Sequence, residues 1–120
     1  MLFSKNHLWI KPEGDTARLG ISDYGVEKLG NIVFLNLPEV GDWLTIEEKL
    51  GDVESIKTVS DLISPVTGQV LSVNETLLDD PGSIGDDPYE NWLIEVKIHR
   101  LSDELLTVEE YQIYRDECNG

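Results

Sequence analysis

The sequence predicts a mainly β fold of two related half-sheets, a sandwich or barrel, with one helix at the C-terminus. Three observations carry this. Apolar runs of strand length fill the chain up to about residue 100, as in Asn31–Leu37 (Asn-Ile-Val-Phe-Leu-Asn-Leu) and Trp92–Ile98. Glycine, proline, asparagine and aspartate punctuate those runs at short intervals. Two Pro-x-x-Gly segments, Pro38–Gly41 and Pro65–Gly68, lie 27 residues apart and read as matching turns between strands. Proline fixes its own φ and glycine accepts positive φ, so each can reverse the chain.

The elements follow in order. His7–Lys11 and Ala17–Ile21 flank Pro12-Glu13-Gly14-Asp15 as a hairpin. Ser22-Asp23 caps a short helix with Val26 and Leu29 on one face and Gly30 as its stop. Asn31–Leu37, Trp43–Ile46, Val53–Ile56, Val59–Ile63, Gln69–Val73 and Trp92–Ile98 are the remaining strands. In the last, Glu95 and Lys97 alternate with Ile94, Val96 and Ile98, the period of a half-buried strand. Glu75–Leu78 makes one helical turn that Pro81-Gly82 ends. A helical turn is expected near Ser102–Leu106. Thr107 and Glu110 then form a capping box, threonine followed by glutamate three residues on. Val108, Tyr111, Tyr114 or Arg115, and Cys118 recur at helical spacing, so this helix is expected to pack its stripe on the sheets.

The 120 residues fit one domain, 1–120, with a core over about 3–98 and a helical segment over about 101–118. Asp and Glu number 24 against 9 Lys and Arg, a net charge of −15. That charge excludes the basic footprint of a nucleic-acid binder and disfavours docking on an anionic membrane. No apolar stretch approaches the roughly 18–20 residues of a membrane span, and the start has no signal-peptide core. The expectation is a cytoplasmic monomer, with a processed mitochondrial form left open. Cys118 is the only cysteine, which removes any internal disulfide or multi-cysteine metal site. His7 and His99 lie 92 residues apart and read as packed or surface residues. Trp9, Trp43 and Trp92 are core anchors or patches on a binding face. The acidic run 79–90 lacks the order of a calcium loop and reads as a solvated loop. The usual catalytic kits are absent, so the chain reads as a non-enzyme.

One residue stands apart. Lys57 lies between two strand-like arms, and no Lys or Arg follows it before Lys97, while eight acidic residues do. The segment Glu54-Ser55-Ile56-Lys57-Thr58-Val59-Ser60-Asp61-Leu62-Ile63-Ser64-Pro65-Val66-Thr67-Gly68 resembles the lipoyl-attachment segment of the glycine cleavage system H-protein family. Gly41 lies 16 residues before the lysine and Gly68 lies 11 after it, the glycine spacing of lipoyl domains. The resemblance extends to Gly20–Tyr24, Leu29–Phe34, Leu37–Gly41, Val73–Glu75, Asp87–Tyr89 and Asn91–Leu93, nearly the whole chain. Biotin domains place methionine on both sides of their lysine, where this chain has Ile56 and Thr58.

The resemblance implies a barrel-sandwich hybrid of the lipoyl/biotinyl type, with Lys57 at an exposed hairpin tip carrying covalent lipoate as N6-lipoyllysine. It implies a non-catalytic carrier that shuttles an aminomethyl group in turn between partners. Those partners are a pyridoxal-phosphate glycine decarboxylase, a tetrahydrofolate-dependent aminomethyltransferase, dihydrolipoyl dehydrogenase and the lipoylating enzyme. Ser55, Ile56 and Thr58 complete the attachment motif. Glu54 serves either recognition by the lipoylating enzyme or solubility, and Gly68 is expected to allow the turn that positions the hairpin. One departure stands out: the family reads His-Glu-Trp near its start, and this chain reads His7-Leu8-Trp9. Leucine gives neither charge nor hydrogen bond to an aminomethyl ammonium. His7, with Glu13 or Asp61 as a substitute acid, is the expected lining of an arm cavity. Leu8 also favours the alternative of an H-like lipoate carrier in another route, sulfur oxidation or lipoyl relay. The remaining alternative is a plain acidic interaction module without a prosthetic group.

Overall fold

The computed structural model describes residues 1–119. In chain order the elements are β1 (Leu2–Phe3), β2 (Leu8–Glu13), β3 (Thr16–Ile21), α1 (Asp23–Leu29), β4 (Ile32–Asn36), β5 (Trp43–Leu44), β6 (Lys49–Ser55), β7 (Val59–Ile63), β8 (Val66–Val73), α2 (Glu75–Asp79), a 3-10 turn (Pro81–Gly85), β9 (Ile94–Leu101) and α3 (Val108–Asn119). One antiparallel sheet runs β1-β2-β3-β9-β8-β5 and a second runs β4-β6-β7. This is the mainly β barrel-sandwich hybrid expected, with short helices and a C-terminal helix.

Alternation builds the core. Ile94 and Val96 of β9 are buried while Lys97 and His99 face out, and Leu35, Val53 and Leu62 line the inner face of the smaller sheet. Those inner faces meet in one apolar cluster with Leu8, Ile10, Leu19 and Val70. A separate aromatic cluster, Phe3, Trp9 and Tyr111, fixes the C-terminal helix. Phe3 and Tyr111 stack with ring centroids 4.4 Å apart, and the Trp9 indole donates to the Pro88 carbonyl at 3.0 Å.

Several expectations shift. Pro65–Gly68 is not a turn: β8 begins at Val66, and Gly68 sits inside it opposite Ile98. A Cβ at Gly68 would overlap the Lys97 carbonyl oxygen, so this glycine permits close strand approach rather than chain reversal. β6 starts at Lys49, four residues before the expected Val53, and β5 shrinks to two residues. β1 was missed, because two residues carry no periodicity. Ser102–Leu106 forms no helical turn; Leu106 exchanges backbone hydrogen bonds with Phe3 at 2.7 and 2.9 Å, continuing the sheet edge. α2 ends at Asp79, before Pro81-Gly82 as expected, and Pro81 then opens a 3-10 turn. The Thr107–Glu110 capping box forms, with bonds of 3.0 and 3.2 Å. Among the described residues of α3 only Tyr111 is buried (3% exposed); Val108 is 53% exposed and Cys118 is also exposed, so the stripe touches the body at its middle. Among the described residues no helix is long and apolar enough to cross a membrane.

Candidate functional site

Lys57 is at the tip of the β6–β7 hairpin, and the residues around it explain why the tip holds its shape. The Ser55 hydroxyl oxygen accepts from the Lys57 and Thr58 amides at 3.2 and 3.1 Å. The Ser55 amide donates to the Thr58 carbonyl at 2.8 Å, closing the turn. The Ile56 amide donates to the Asn31 carbonyl at 3.1 Å, tying the tip to the segment after α1. The Lys57 side chain then lies over Gly30, whose φ is +79°. A Cβ at Gly30 would come 3.1 Å from Lys57 Cε and 3.5 Å from Nζ, so the glycine leaves room for the chain. Lys57 is exposed, and no ion pair to it occurs among the described residues.

Strand register sets what surrounds the tip. Phe34, Glu54 and Val59 are direct partners across β4, β6 and β7. Residues opposite one another share a face, so an acid stands between two apolar side chains on the outside of the small sheet. Phe34 is 54% exposed and Val59 60%, and Val33 and Ile56 are exposed beside them. In the next row Asp52 faces Asp61, and Lys49 reaches both carboxylates at 3.2 and 3.3 Å. Those hydrogen bonds, to Asp52 first and then Asp61, hold the Lys49 ammonium above its usual pKa.

Under the hairpin, between the sheets, lies a cavity of about 190 Å³. Leu8, Ile21, Val53 and Leu62 give it apolar walls, Lys28 and Leu29 at the end of α1 close one side, and Asn6 and Ser60 add polar lining. His7 lines it too, at a φ of +67°. Its Nδ1 lies 2.9 Å from the Tyr111 hydroxyl, which lies 2.6 Å from Ser22 Oγ. Burial, then the positive charges of Lys28 and Arg115, lower the His7 pKa. Asp61 reaches the rim with its carboxylate held by Lys49.

The expected site residues therefore divide. Glu54, Ser55, Ile56, Thr58 and Lys57 converge on the tip, and His7 and Asp61 meet at the cavity beneath. Glu13 does not join them: it ends β2 opposite Thr16, six residues from His7 along an extended strand, roughly 20 Å away. Gly68 belongs to the larger sheet. The sequence reading missed Lys28, Leu29 and Phe34. The signal was available in Leu29-Gly30-Asn31, where the glycine was read only as a helix stop.

Comparisons with known proteins agree on one family. The model of the family described as "Glycine cleavage H-protein" matches residues 1–118. The glycine cleavage system H protein of Thermoanaerobacter sp. (strain X514) is 48% identical over 119 residues, covering 98% of this chain and 94% of the relative. That of Clostridioides difficile (strain 630) is 49% identical over 113 residues, covering 92% and 90%. The crystal structure of a glycine cleavage system H protein from Mycobacterium marinum superposes with a TM-score of 0.88 at 41% identity, covering 99% of this chain and 96% of that one.

Proposed function

The chain belongs to the glycine cleavage H-protein family, and from that premise we propose that Lys57 is the residue to which its lipoate is attached. The family is the lipoyl carrier of the glycine cleavage system, and the relatives do not favour a carrier of another route. One observation carries the assignment to Lys57: an exposed lysine at a locked hairpin tip, with no ion-pair partner among the described residues and glycine beneath its side chain. An attachment lysine must offer a free amine to an enzyme and leave space for a long substituent, so these residues fit the group. Lipoate in amide linkage would supply a dithiolane as acceptor of a one-carbon amine; departure of that unit would leave a dithiol, and the two-electron oxidation that closes the ring would fall to dihydrolipoyl dehydrogenase.

The chain's own residues present the arm. Ser55 fixes the turn, and Ile56 anchors it to Asn31. Glu54, flanked by Phe34 and Val59, offers a negative charge in an apolar row beside the lysine, the recognition feature proposed for the lipoylating enzyme. As a member of this family the chain works with the other components of its system. The specific partners proposed are the glycine decarboxylase, the aminomethyltransferase, dihydrolipoyl dehydrogenase and the lipoylating enzyme. No reaction is assigned to the chain itself.

Glycine–bicarbonate exchange with the cognate decarboxylase tests the proposal. The lipoylated protein supports exchange, and Lys57→Arg supports none. Exchange retained by Lys57→Arg overturns the attachment at Lys57, and exchange absent with the lipoylated protein overturns the role in glycine cleavage.

A further inference from the structure

We propose that the outer face of the larger sheet is a two-fold interface with a second copy of this chain. Register places its side chains. Lys11, Arg18 and Glu95 are direct partners across β2, β3 and β9, and Glu13, Thr16 and Lys97 form the next row. Residues in register share a face. The alternate residues Ile10, Leu19, Ile94 and Val96 are buried in the core, so both rows point away from it. Thr16 and Glu95 are half-buried and the other four are exposed. Gln69 and then Trp43 extend the second row along β8 and β5, and Trp43, 57% exposed, adds apolar area at its end.

Charge selects the occupant. Lys11, Arg18 and Lys97 balance Glu13, Glu95 and the turn residue Asp15, so the net −15 lies on the rest of the surface. A second copy brings the same excess, and joining the two larger sheets turns both excesses outward. The rows are also self-complementary. A two-fold axis along β3 sets Lys11 against the partner's Glu95 and Glu13 against the partner's Lys97, each contact occurring twice. Lys11 and Glu13 have no ion pair within the chain among the described residues, so both are free to make one. Arg18 and Thr16 lie on the axis and meet their own copies. The Arg18 charge is already shared by Glu95 at 3.7 Å and by the Trp92 ring at 4.8 Å. The smaller sheets then face outward on opposite sides, so both Lys57 tips stay in solvent and one particle presents two of them. Exposed ion pairs each contribute little, so association is expected only at high protein concentration. The inference stands whether or not Lys57 is modified.

Sedimentation velocity of the full chain up to millimolar concentration tests this, beside Lys11→Glu, Glu95→Lys and the two together. The parent chain shifts from monomer to dimer as its concentration rises. Each single reversal sets like charges together twice per dimer and weakens association about tenfold. The combined reversal mirrors the row about Arg18 and keeps an acid beside that residue. It returns the dissociation constant to within about threefold of the parent value. Melting curves identify any variant that fails to fold, and Glu13→Lys with Lys97→Glu then supplies the same cycle on the second row. A parent chain that stays monomeric at millimolar concentration overturns the proposal. So does a dimer that the single reversals leave unchanged, or one that the combined reversal of a folded chain fails to restore.

Discussion

In one region of the molecule Phe3, Trp9 and Tyr111 pack ring against ring beneath the C-terminal helix. In another, Val33, Phe34, Ile56 and Val59 stand in solvent around Lys57. The first region is closed by stacking, by the Tyr111 hydroxyl between His7 and Ser22, and by the paired backbones of Phe3 and Leu106. The second is held by one serine and one backbone bond to Asn31. The first is buried and adds to the stability of the main core, and the second is left exposed. Exposed apolar side chains gathered on one small face mark a surface that another molecule covers.

Substitutions break this division in order of expected size. Tyr111→Ala removes the stacked ring and both hydroxyl contacts and costs about 3 kcal/mol, a drop in Tm of roughly 10 °C. Below that lower Tm, lipoylation at Lys57 proceeds as in the parent chain; calorimetry and intact mass on the same sample check both halves. Gly68→Ala forces a Cβ into the Lys97 carbonyl and costs about 2 kcal/mol through strand displacement, read from urea unfolding. A change below about 0.5 kcal/mol would mean that Gly68 serves a turn or a partner instead of strand packing.

The smallest effect is a pH dependence. The folded His7 pKa lies below its ordinary 6.5, through burial first and then Lys28 and Arg115. The unfolded chain therefore takes up this proton first. Its contribution to stability is full above about pH 6.5, falls as pH drops through that value, and stops falling once the folded imidazole is protonated as well. Melting curves from about pH 7.5 to about pH 5 fall more steeply for the parent chain than for His7→Gln. The Asp23 pKa is also lowered, with desolvation opposing and Tyr89, the Tyr24 amide and Arg115 lowering it. Its stabilisation is lost only as pH falls below about 3.8, outside that window.

Local chemistry was legible in the residues, and assembly was not. The Ser22 cap, the Thr107–Glu110 box and the β7 boundaries are decided within a few residues, and they stand where the pattern placed them. Gly68 misled because nothing near it in sequence shows that Lys97 passes across it. Val108 and Cys118 misled because helical spacing defines a face, while the area that covers it is decided elsewhere in the fold. The tip could be read from one segment, whereas the cavity draws on β2, β3, α1, β6 and β7, so only topology brings Leu8, Lys28 and Leu62 together. The extended run of β2 also separates Glu13 from His7, which the short spacing in sequence concealed. Leu8 supplies wall to the cavity and is 2% exposed.

The measurement that reaches the central claim most directly is intact mass with peptide mapping, after the purified chain meets lipoate, ATP and an active ligase. One lipoyl group is expected, on Lys57, with Tyr111→Ala modified to the same extent and Lys57→Arg not at all. A chain that stays unmodified, or a lipoyl group on any other lysine, would contradict the account.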